Sequence, residues 1–386
     1  MPPTQILLSA GEASGDMYAA RLAAALKQHA DVNIFGMGGE QMRAAGVEVS
    51  TDYSEVAVLG ITEILKHLPQ LRRAMRNLVN EVRSRKPALA ILTDFPGFHL
   101  RLARKVKRLG VKNVYYICPQ FWAWRPWRAN LVRRRFALAL CIFPFEEKFF
   151  ADAGVPVKFI GHPLVGHVHA TLSREEFSAK HGLDPERKTI TFLPGSRAGE
   201  IARHLPTLLE ACCELERRQS GQFNFVLALA TEMDAVAVQT SIPALPSISI
   251  VRGDTYNALA AADAAIICSG TATVEAALLD VPMVVVYKVS KLTALLAKPL
   301  IRTKFFGMVN LIAEREVAPE LIQEKFTAND VVREIQSLLE PARGAQARAN
   351  LAEVRRRLGP PGAVQRAAEA ILSLLPGATK GSGNAS

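Results

Sequence analysis

Two short loops in the second half of the sequence carry residue types that bind anions. The first, LPGSRAGEI (Leu193 to Ile201), combines small residues with a guanidinium group, and the second, SGTATVEAA (Ser269 to Ala277), opens a helix with hydroxyl side chains. Unpaired N–H groups at a helix N-terminus and a positioned arginine both favour bound phosphate. Each loop alone is also compatible with an ordinary capped turn. Together they indicate a diphosphate site, as for a nucleotide-sugar donor.

Two carboxylates are candidates for chemistry on hydroxyl groups. Glu275, near the start of the helix that SGTATVEAA opens, can accept hydrogen bonds from two sugar hydroxyls, as carboxylates do for a ribose. In TDFPGFH (Thr93 to His99), Asp94 ends an apolar run beside Pro96, which disfavours helix there. A partly buried carboxylate of this kind can act as a general base, and capping of the next helix is the alternative.

Two further segments have the composition of ligand-binding loops. AGEASGD (Ala10 to Asp16) is a small-residue turn, but it lacks the GxGxxG spacing of a dinucleotide fingerprint. CPQFWAWRPWR (Cys118 to Arg128) contains all three tryptophans, interleaved with Arg125 and Arg128. Aromatic rings beside guanidinium groups suit a sugar face, a phosphate or unstacked bases, and core packing of one or two rings is the alternative.

Neither the histidines nor the cysteines form a metal-binding pattern. His162, His167 and His169 lie close together in sequence, yet no nearby carboxylate or Cys completes a ligand set. The five cysteines form no CxxC pair, are odd in number and lie mostly in apolar runs, which indicates buried thiols. We therefore expect no bound metal and no disulfide framework.

Positive charge is concentrated in one part of the chain. The formal net charge is +11, but Lys66 to Arg135 holds 18 Lys or Arg against two acidic residues, which leaves −5 for the other 316 residues. A field of this sign attracts nucleic acid, an anionic membrane surface or phosphorylated substrates, and the sign alone does not choose among them.

An amphipathic stretch lies at the start of this basic region. In VAVLGITEILKHLPQLRRAMRNL (Val56 to Leu78), an apolar face bordered by arginines suits a helix in a membrane interface, with an ordinary core helix as the alternative. No stretch approaches the ~18 uncharged apolar residues of a spanning helix, and no signal sequence precedes TQILLSAG, so we expect a cytoplasmic protein. The membrane-facing candidates are Val58, Leu59, Ile61, Ile64, Leu65 and Leu68.

Short apolar runs alternate with amphipathic stretches along the chain. The strands and helices that these runs predict must position all of the loops described above. One set runs from QILLSAG to VKFIGHP and another from TITFLPGS to VPMVVVYKV, which is the βα repetition of a parallel sheet. The pattern predicts an α/β fold with two Rossmann-like doubly wound domains facing a cleft. The predicted divisions are a domain over 1–165, a linker over 166–188, a domain over 189–343, a C-terminal helix over 344–375 that could cross back to the first domain, and a disordered tail over 376–386.

In order along the chain, these motifs resemble the lipid-A-disaccharide synthase family of GT-B glycosyltransferases. The likeness runs through AGEASGD, GMGG, VLGITEIL, TDFPGF, PQFWAWR, FPFE, GHPL, LPGSRAGEI, SGTATVEAAL and NLIAEREVAPELIQ. It implies a metal-independent, inverting transfer of 2,3-diacylglucosamine from UDP-2,3-diacylglucosamine to the 6-hydroxyl of 2,3-diacylglucosamine 1-phosphate. The implied products are the β-1,6-linked disaccharide 1-phosphate and UDP. Both substrates would lie in the inner leaflet of the cytoplasmic membrane, so the resemblance implies an enzyme peripherally associated with that membrane. A homodimer is compatible with the resemblance.

The resemblance also suggests roles for individual residues. Asp94, the first Asp of TDFPGF, remains available and is our candidate for the catalytic base, and Arg197 would stabilise the leaving diphosphate. Gly97 stands where many relatives have Asp, so a base role at that position does not carry over, and Val309 replaces the usual Pro before Asn310. The UDP donor is expected at Gly195, Ser196, Arg197, Glu200, Ser269, Gly270, Thr271, Ala272, Thr273, Glu275 and Asn310, and the acceptor at Gly11, Glu12, Ser14, Gly15, Asp16, Gln120, Trp122, Trp124 and Arg125.

Two other functions stay open at the level of sequence. Another UDP-sugar-dependent GT-B transferase, or a UDP-sugar epimerase, would share the nucleotide loops but need no lipid-facing surface. A non-enzymatic nucleic-acid binder would explain the positive charge and the Trp/Arg cluster. It leaves LPGSRAGEI and SGTATVEAA unexplained, so nucleic acid is not the expected partner.

Overall fold

The computed structural model describes residues 2–55, 68–229, 248–290, 293–295 and 303–375. The chain forms two compact units. The first contains the residues up to Pro163 together with those from Pro360 onward, and the second contains Leu164–Gly359. Each unit is built on its own parallel sheet.

Seven parallel strands form the sheet of the first unit in the described part of the chain. They are β1 (Thr4–Ala10), β2 (Val32–Gly38), β3 (Glu48–Asp52), β4 (Leu89–Thr93), β5 (Lys112–Tyr116), β6 (Leu138–Cys141) and β7 (Val157–Phe159). Their order is β3-β2-β1-β4-β5-β6-β7. Every residue of β4 (LAILT) is buried, as expected for a strand with helices on both faces. Strands are added on one side of β1 up to β3 and on its other side from β4 onward. The point between β1 and β4 is therefore the reversal point of the sheet, and such sheets bind ligands there.

Helices alternate with these strands. They are α1 (Ala13–His29), α2 (Glu40–Ala44), α3 (Leu68–Arg85), α4 (Pro96–Arg108), α5 (Phe121–Trp124), α6 (Ala129–Arg135) and α7 (Pro144–Asp152). α4 begins with Pro96, whose fixed φ and missing N–H suit the first helical position. α3, α4 and α6 pack side by side and contribute Leu78, Leu102 and Val132 to one apolar core.

The second unit repeats this architecture with six described strands. They are β8 (Lys188–Leu193), β9 (Phe223–Leu229), β10 (Ile248–Arg252), β11 (Ala264–Cys268), β12 (Met283–Tyr287) and β13 (Glu320–Ile322), in the order β10-β9-β8-β11-β12-β13. Its helices are α8 (Arg174–His181), α9 (Ala198–Arg218), α10 (Thr255–Ala260), α11 (Thr271–Leu278), α12 (Met308–Ala313), α13 (Ala328–Leu339) and α14 (Pro341–Arg357). Here the winding reverses between β8 and β11.

The polar segment expected to be a linker over 166–188 is instead an ordered part of the second unit. It contains α8, which Ser173 caps by accepting a hydrogen bond from the backbone N–H of Glu176. Its polar side chains are used in packing: Arg174 forms an ion pair with Asp263 at 2.7 Å. Asn257 Oδ1 accepts hydrogen bonds from two backbone N–H groups of the segment. Polarity alone therefore misidentified this stretch.

The single C-terminal helix expected over 344–375 is two helices. α14 ends at Arg357, and α15 (Ala363–Leu372) follows after Gly359-Pro360-Pro361-Gly362, since two prolines cannot continue a helix. α14 belongs to the second unit, whereas α15 belongs to the first and packs on α1. Arg366 Nε fixes α15 further by donating to Ile160 O at 2.9 Å. The predicted tail over 376–386 lies outside the described residues.

Within the described ranges, no helix combines the length and apolarity needed to cross a bilayer. Leu68, one of the membrane-facing candidates, is the half-buried first residue of α3. The other candidates, Val58, Leu59, Ile61, Ile64 and Leu65, lie outside the described residues.

Candidate functional site

Two sequence motifs meet at the reversal point of the first sheet. β1 ends at Ala10 and its neighbour β4 ends at Thr93, so AGEASGD and TDFPGFH leave adjacent strands at the same edge. The approach is close: a Cβ placed on Gly11 would lie 2.2 Å from Cδ1 of the Phe95 ring. Glycine is required at this position because nothing larger fits beneath the ring.

The backbone at Asp94 and Phe95 adopts an uncommon conformation. The backbones of both residues lie in the left-handed region, with φ of 46° and 44°. This conformation costs free energy in residues other than glycine. The Asp94 carbonyl accepts hydrogen bonds from Tyr115 Oη at 3.1 Å and His99 Nδ1 at 2.9 Å. Because a carbonyl only accepts, His99 carries its proton on Nδ1, and its Nε2 accepts from Ser9 Oγ at 2.8 Å. Burial lowers the pKa of His99 to about 4, so the ring stays neutral.

The Asp94 carboxyl group is able to hold a proton near neutral pH. Burial, followed by the like charge and the hydrogen bond of the neighbouring Glu12 carboxyl, raises the pKa of Asp94 to about 8. Asp94 does not cap α4, because the N-cap residue of that helix is Phe95. Two carboxyl groups joined by a hydrogen bond share a proton, which makes Asp94 a candidate for proton transfer.

Some residues of AGEASGD lie at the Asp94 site, and others stabilise the fold around it. Glu12 precedes α1, and its Oε1 accepts from Ser14 Oγ at 3.0 Å. Gly15 is buried within α1. Asp16, expected to bind the acceptor, is also buried, and its carboxylate accepts from Gly39 N at 2.6 Å and from two backbone N–H groups of α2. The Asp16 carboxylate therefore stabilises the start of α2, and its binding of the acceptor stays a prediction.

The WAWR segment approaches the same site through a residue that sequence reasoning missed. Trp122 Nε1 donates to Glu146 Oε1 at 3.1 Å, and Glu146 is a fully buried residue in the first turn of α7. The charge of Glu146 makes the smallest of the contributions that raise the pKa of Asp94. Gln120 is exposed before α5 and Arg125 is half-buried after it, while the side chain of Trp124 lies outside the description.

Replacing Glu146 with Gln should change how the stability of the first unit depends on pH. Burial raises the pKa of Glu146 from 4.5 to about 7, so the folded state binds a proton more tightly than the unfolded state. The resulting stabilisation is complete below pH 4.5 and is lost as pH rises through about 7. The free energy of unfolding of the wild type should therefore fall relative to Glu146→Gln by on the order of 3 kcal/mol across that interval.

Tryptophan fluorescence is the suitable probe for this prediction, since all three tryptophans lie between residues 122 and 127 and report on the first unit. Urea unfolding of both proteins at pH 5 and pH 7.5 gives the comparison. The Gln side chain keeps an oxygen acceptor for the Trp122 indole, so hydrogen bonding is matched. A difference in unfolding free energy that is the same at both pH values would contradict the assignment.

The two predicted anion-binding loops meet at the reversal point of the second sheet. β8 and β11 are parallel neighbours, so LPGSRAGEI and SGTATVEAA leave the sheet side by side. Gly195 has a φ of 125°, and a Cβ there would lie 2.7 Å from Glu200 Oε2. Glu200 folds back over the loop, where its carboxylate accepts from Ser196 N at 3.3 Å and pairs with Arg197 Nη1 at 3.1 Å. The Arg197 side chain remains 62% exposed, so an anion can reach it.

The second loop forms the N-terminus of α11. Thr273 is fully buried, and its Oγ1 donates to Gly270 O at 2.8 Å, so the Thr273 side chain serves the helix and not a ligand. Thr271 is exposed and Ala272 is half-buried in the first turn, where backbone N–H groups have no intrahelical partner. Anion binding here would therefore use backbone N–H groups and not the threonine at position 273.

Glu275, one turn into α11, is oriented by a neighbouring helix. Its Oε1 accepts from Tyr256 Oη of α10 at 3.1 Å, and burial raises the pKa of Glu275. Sequence reasoning missed Tyr256, because the two residues are 19 positions apart and lie on different helices.

Asn310, expected to bind the donor, is a structural residue. It is fully buried, and its Nδ2 donates to Ala318 O at 2.7 Å and to Glu320 Oε1 at 2.8 Å. Its Oδ1 accepts from the backbone N–H groups of Val317 and Ala318. These four bonds use the full capacity of the amide, so its side chain is not offered to a ligand.

Two more side chains hold the second site together and carried no signal in the sequence. The Glu320 carboxylate accepts from Phe306 N and Gly307 N, and Ser269 Oγ donates to the carbonyl of the same Phe306 at 2.7 Å. His204 is fully buried, with Nδ1 donating to the carbonyl of residue 194 at 2.7 Å and Nε2 accepting from the backbone N–H of residue 288. These contacts join the loop after β8 to the loops after β11 and β12.

The described ranges contain no group of three or more His, Cys, Asp or Glu side chains placed to hold a metal ion. His162, the first histidine of GHPLVGHVH, is buried beside the Phe143 ring, and burial lowers its pKa to about 3.

Known structures with the same fold include enzymes of nucleotide-sugar chemistry. UDP-GlcNAc 2-epimerase from Neisseria meningitidis, solved with UDP-GlcNAc bound, is 11% identical with a TM-score of 0.60, over 96% of this chain and 98% of that one. The calicheamicin glycosyltransferase CalG4 is 15% identical with a TM-score of 0.60, over 97% and 98%. These likenesses show the fold: two Rossmann-like α/β units of the GT-B type.

Similarity in sequence is much closer to one family. The family model for lipid-A-disaccharide synthetase matches residues 6–372. Lipid-A-disaccharide synthase of Solibacter usitatus is 46% identical over 97% of this chain and 98% of its own length. The enzyme of the same name from Myxococcus xanthus is 41% identical with the same coverage. The chain therefore belongs to the lipid-A-disaccharide synthase family.

Proposed function

We propose that this hexosyltransferase of lipid A biosynthesis moves 2,3-diacylglucosamine from UDP-2,3-diacylglucosamine to the 6-hydroxyl of 2,3-diacylglucosamine 1-phosphate. The products are the β-1,6-linked disaccharide 1-phosphate and UDP. The pairing of loops at the two reversal points supports the proposal. In the first unit these loops carry a carboxyl group that can hold a proton, and in the second they carry an accessible arginine beside a helix N-terminus.

Asp94 acts as the general base in this proposal. In its ionised form it accepts the proton of the acceptor 6-hydroxyl while that oxygen attacks C1 of the donor sugar. The bond from C1 to the β-phosphate oxygen breaks as the new C1–O bond forms, so the configuration at C1 inverts and UDP leaves with the electron pair. Glu12 tunes the proton affinity of Asp94. Ser14 and Trp122 are the adjacent groups proposed to position the acceptor.

The second unit stabilises the leaving group. Negative charge builds on the β-phosphate as the glycosidic bond breaks, and the Arg197 guanidinium group with the first-turn N–H groups of α11 would bind that charge. Glu275, oriented by Tyr256, would accept hydrogen bonds from the ribose hydroxyls. Gly195 and Glu200 shape the loop that presents Arg197.

The proposal requires no metal cofactor, and it assigns the protein to the cytoplasm at the inner leaflet of the cytoplasmic membrane. Each substrate carries two acyl chains, which hold it in a bilayer. In this proposal the enzyme meets its substrates at that surface from the aqueous side. The basic part of the first unit has the charge expected for such an approach.

A metal-free assay tests the reaction. With both substrates in detergent micelles and EDTA present, we expect UDP and disaccharide 1-phosphate in equal amounts by mass spectrometry. Turnover of the UDP-sugar alone would favour an epimerase, and UDP binding without disaccharide would remove the acceptor assignment. Activity that disappears with EDTA and returns with added Mg²⁺ would contradict metal independence.

A further inference from the structure

His204 connects the loop after β8 to the loop after β12 in the second unit. It lies in the second turn of α9 and is fully buried. Its Nδ1 lies 2.7 Å from Pro194 O, and its Nε2 lies 3.0 Å from Lys288 N. No step of the proposed reaction uses this side chain, although it contacts the residue immediately before Gly195.

The two hydrogen bonds select one form of the imidazole ring. A carbonyl only accepts hydrogen bonds, so the proton of the neutral ring lies on Nδ1, and Nε2 accepts from the backbone N–H of Lys288. The rings of Tyr287 and Phe326 pack on the imidazole, with centroids 5.8 and 5.7 Å away. Both ring nitrogens are used within the protein, so His204 acts on a ligand only through the loops that it holds.

The bond to Pro194 determines which way the next N–H group points. In a trans peptide the C=O and N–H groups point in opposite directions. Because the Pro194 carbonyl points inward to His204, the N–H of Gly195 points away from that side chain. Within the described ranges, no backbone carbonyl accepts a hydrogen bond from the Gly195 N–H. This donor is therefore directed away from the core and is open to an acceptor outside the chain.

The Gly195 N–H lies among other groups that suit phosphate. Gly195 is two residues before the exposed Arg197, and its loop runs beside the start of α11. A Cβ built on Gly270, the N-cap residue of α11, has no atom of the described residues within 4 Å, so there is open space at that helix terminus. Backbone N–H groups and a guanidinium group together supply the directed donors that a diphosphate requires.

We propose that His204 is a positioning residue for the diphosphate of the UDP donor. By holding the Pro194 carbonyl inward, it turns the Gly195 N–H outward, where that group donates to a phosphate oxygen. Without this bond the peptide group between the two residues can rotate, since glycine allows either orientation. The inference rests on the proposed function, because it requires that the site binds a nucleoside diphosphate.

UDP binding to the full chain tests this role without turnover. His204→Asn keeps an N–H donor near the position of Nδ1, whereas His204→Leu removes both hydrogen bonds and keeps an apolar side chain beside Tyr287 and Phe326. By isothermal titration calorimetry, His204→Leu should bind UDP at least about tenfold more weakly than wild type, the scale of one hydrogen bond to a charged group. His204→Asn should stay within about threefold of wild type.

Uridine separates positioning of the diphosphate from general damage to the site. It carries no phosphate, so its affinity in His204→Leu, measured by saturation-transfer NMR, should stay within about twofold of wild type. An equal loss for uridine and UDP would show that His204 supports the site as a whole, and it would overturn the assignment. So would unchanged UDP binding in His204→Leu.

A second variant keeps the test valid if His204→Leu does not fold. His204→Gln places an oxygen acceptor near the position of Nε2 for the Lys288 N–H, but it places no donor near Nδ1. It should therefore lose UDP affinity while His204→Asn retains it, and the reverse order would contradict the role of the Pro194 bond. His181→Leu is the matched control, because His181 lies on α8 of the same unit, 4.0 Å from Asp254, and its loss should leave UDP binding unchanged.

Turnover distinguishes this inference from the proposed function. If the wild type binds UDP and the variants behave as expected, but no disaccharide forms, the positioning role stands and the transferase assignment fails. If disaccharide forms and His204→Leu binds UDP as tightly as the wild type, only the role of His204 is refuted. If the wild type does not bind UDP, the donor site and the role of His204 are both wrong.

Discussion

Replacing Asp94 with Asn should lower kcat by about 10²–10⁴-fold, the usual contribution of a general base. The amide keeps the size of the side chain but cannot accept the proton of the acceptor hydroxyl. The backbone of Asp94 is held by Tyr115 and His99 through its carbonyl, so the loop should keep its shape in the variant. KM for the UDP donor should change little, because the donor loops belong to the other unit.

The pH dependence of the wild type provides a second measurement. Because the pKa of Asp94 is raised to about 8, kcat/KM should rise with pH and level off above that value as the carboxyl ionises. Glu12→Gln removes the like charge while burial persists, so the midpoint should move to lower pH without reaching that of an ordinary aspartate. A midpoint that does not move would show that Glu12 leaves the proton affinity of Asp94 unchanged.

Gly97 supplies a control for the identity of the base. A Cβ built on Gly97 has no atom within 4 Å, so an aspartate can be introduced there without a clash. If Asp94 is the base, adding Gly97→Asp to Asp94→Asn should restore little activity. Recovery to near the wild-type kcat would assign proton transfer to position 97 and refute the role of Asp94.

Replacing Arg197 with Ala should lower kcat/KM by roughly 10²-fold or more, the scale seen when a transition-state charge loses one donor. The guanidinium group is exposed, and its ion pair within the described part of the chain is with Glu200, so it can turn toward a diphosphate. Most of the loss should appear in kcat, since charge on the leaving group grows as the bond breaks. Steady-state kinetics with the substrates in detergent micelles measure both kcat and kcat/KM.

Arg217→Ala is the matched control for that variant. Arg197 is the N-cap residue of α9, and Arg217 lies at the far end of that helix, where it pairs with Glu214 at 2.7 Å. Exposed pairs of this kind contribute little to stability, so the control should keep wild-type kinetics. Wild-type kinetics in Arg197→Ala itself would remove Arg197 from the mechanism.

The paired loops were predictable from the sequence because periodicity fixes a parallel sheet, and parallel strands deliver their following loops to one edge. This reasoning predicted that LPGSRAGEI and SGTATVEAA act together, and the structure places them side by side after β8 and β11. It could not separate ligand-facing side chains from those that hold the fold. Asp16 binds backbone N–H groups of α2, and Asn310 is saturated by its neighbours.

The residues that support the two sites could not be predicted from the sequence for a related reason. His99 acts on Asp94 through a backbone carbonyl, and Glu146 reaches Trp122 from the next strand-helix repeat. Neither contact leaves a periodic or compositional trace, because each depends on how separate elements pack. The segment 166–188 shows the opposite error: its polar composition indicated a linker, although its polar groups are bonded within the second unit.

The route of the chain through α14 and α15 bears on how the protein is made. The second unit is one continuous stretch, whereas the first needs α15, whose buried Ala367 and Ile371 belong to the helix that packs on α1. On the ribosome, β1 and α1 emerge before the second unit, but α1 is not covered until α15 has been synthesised. Domains usually complete their folding in the order of synthesis. Here the later-made unit can finish first, and the apolar face of α1 that α15 covers stays exposed until α15 has been synthesised.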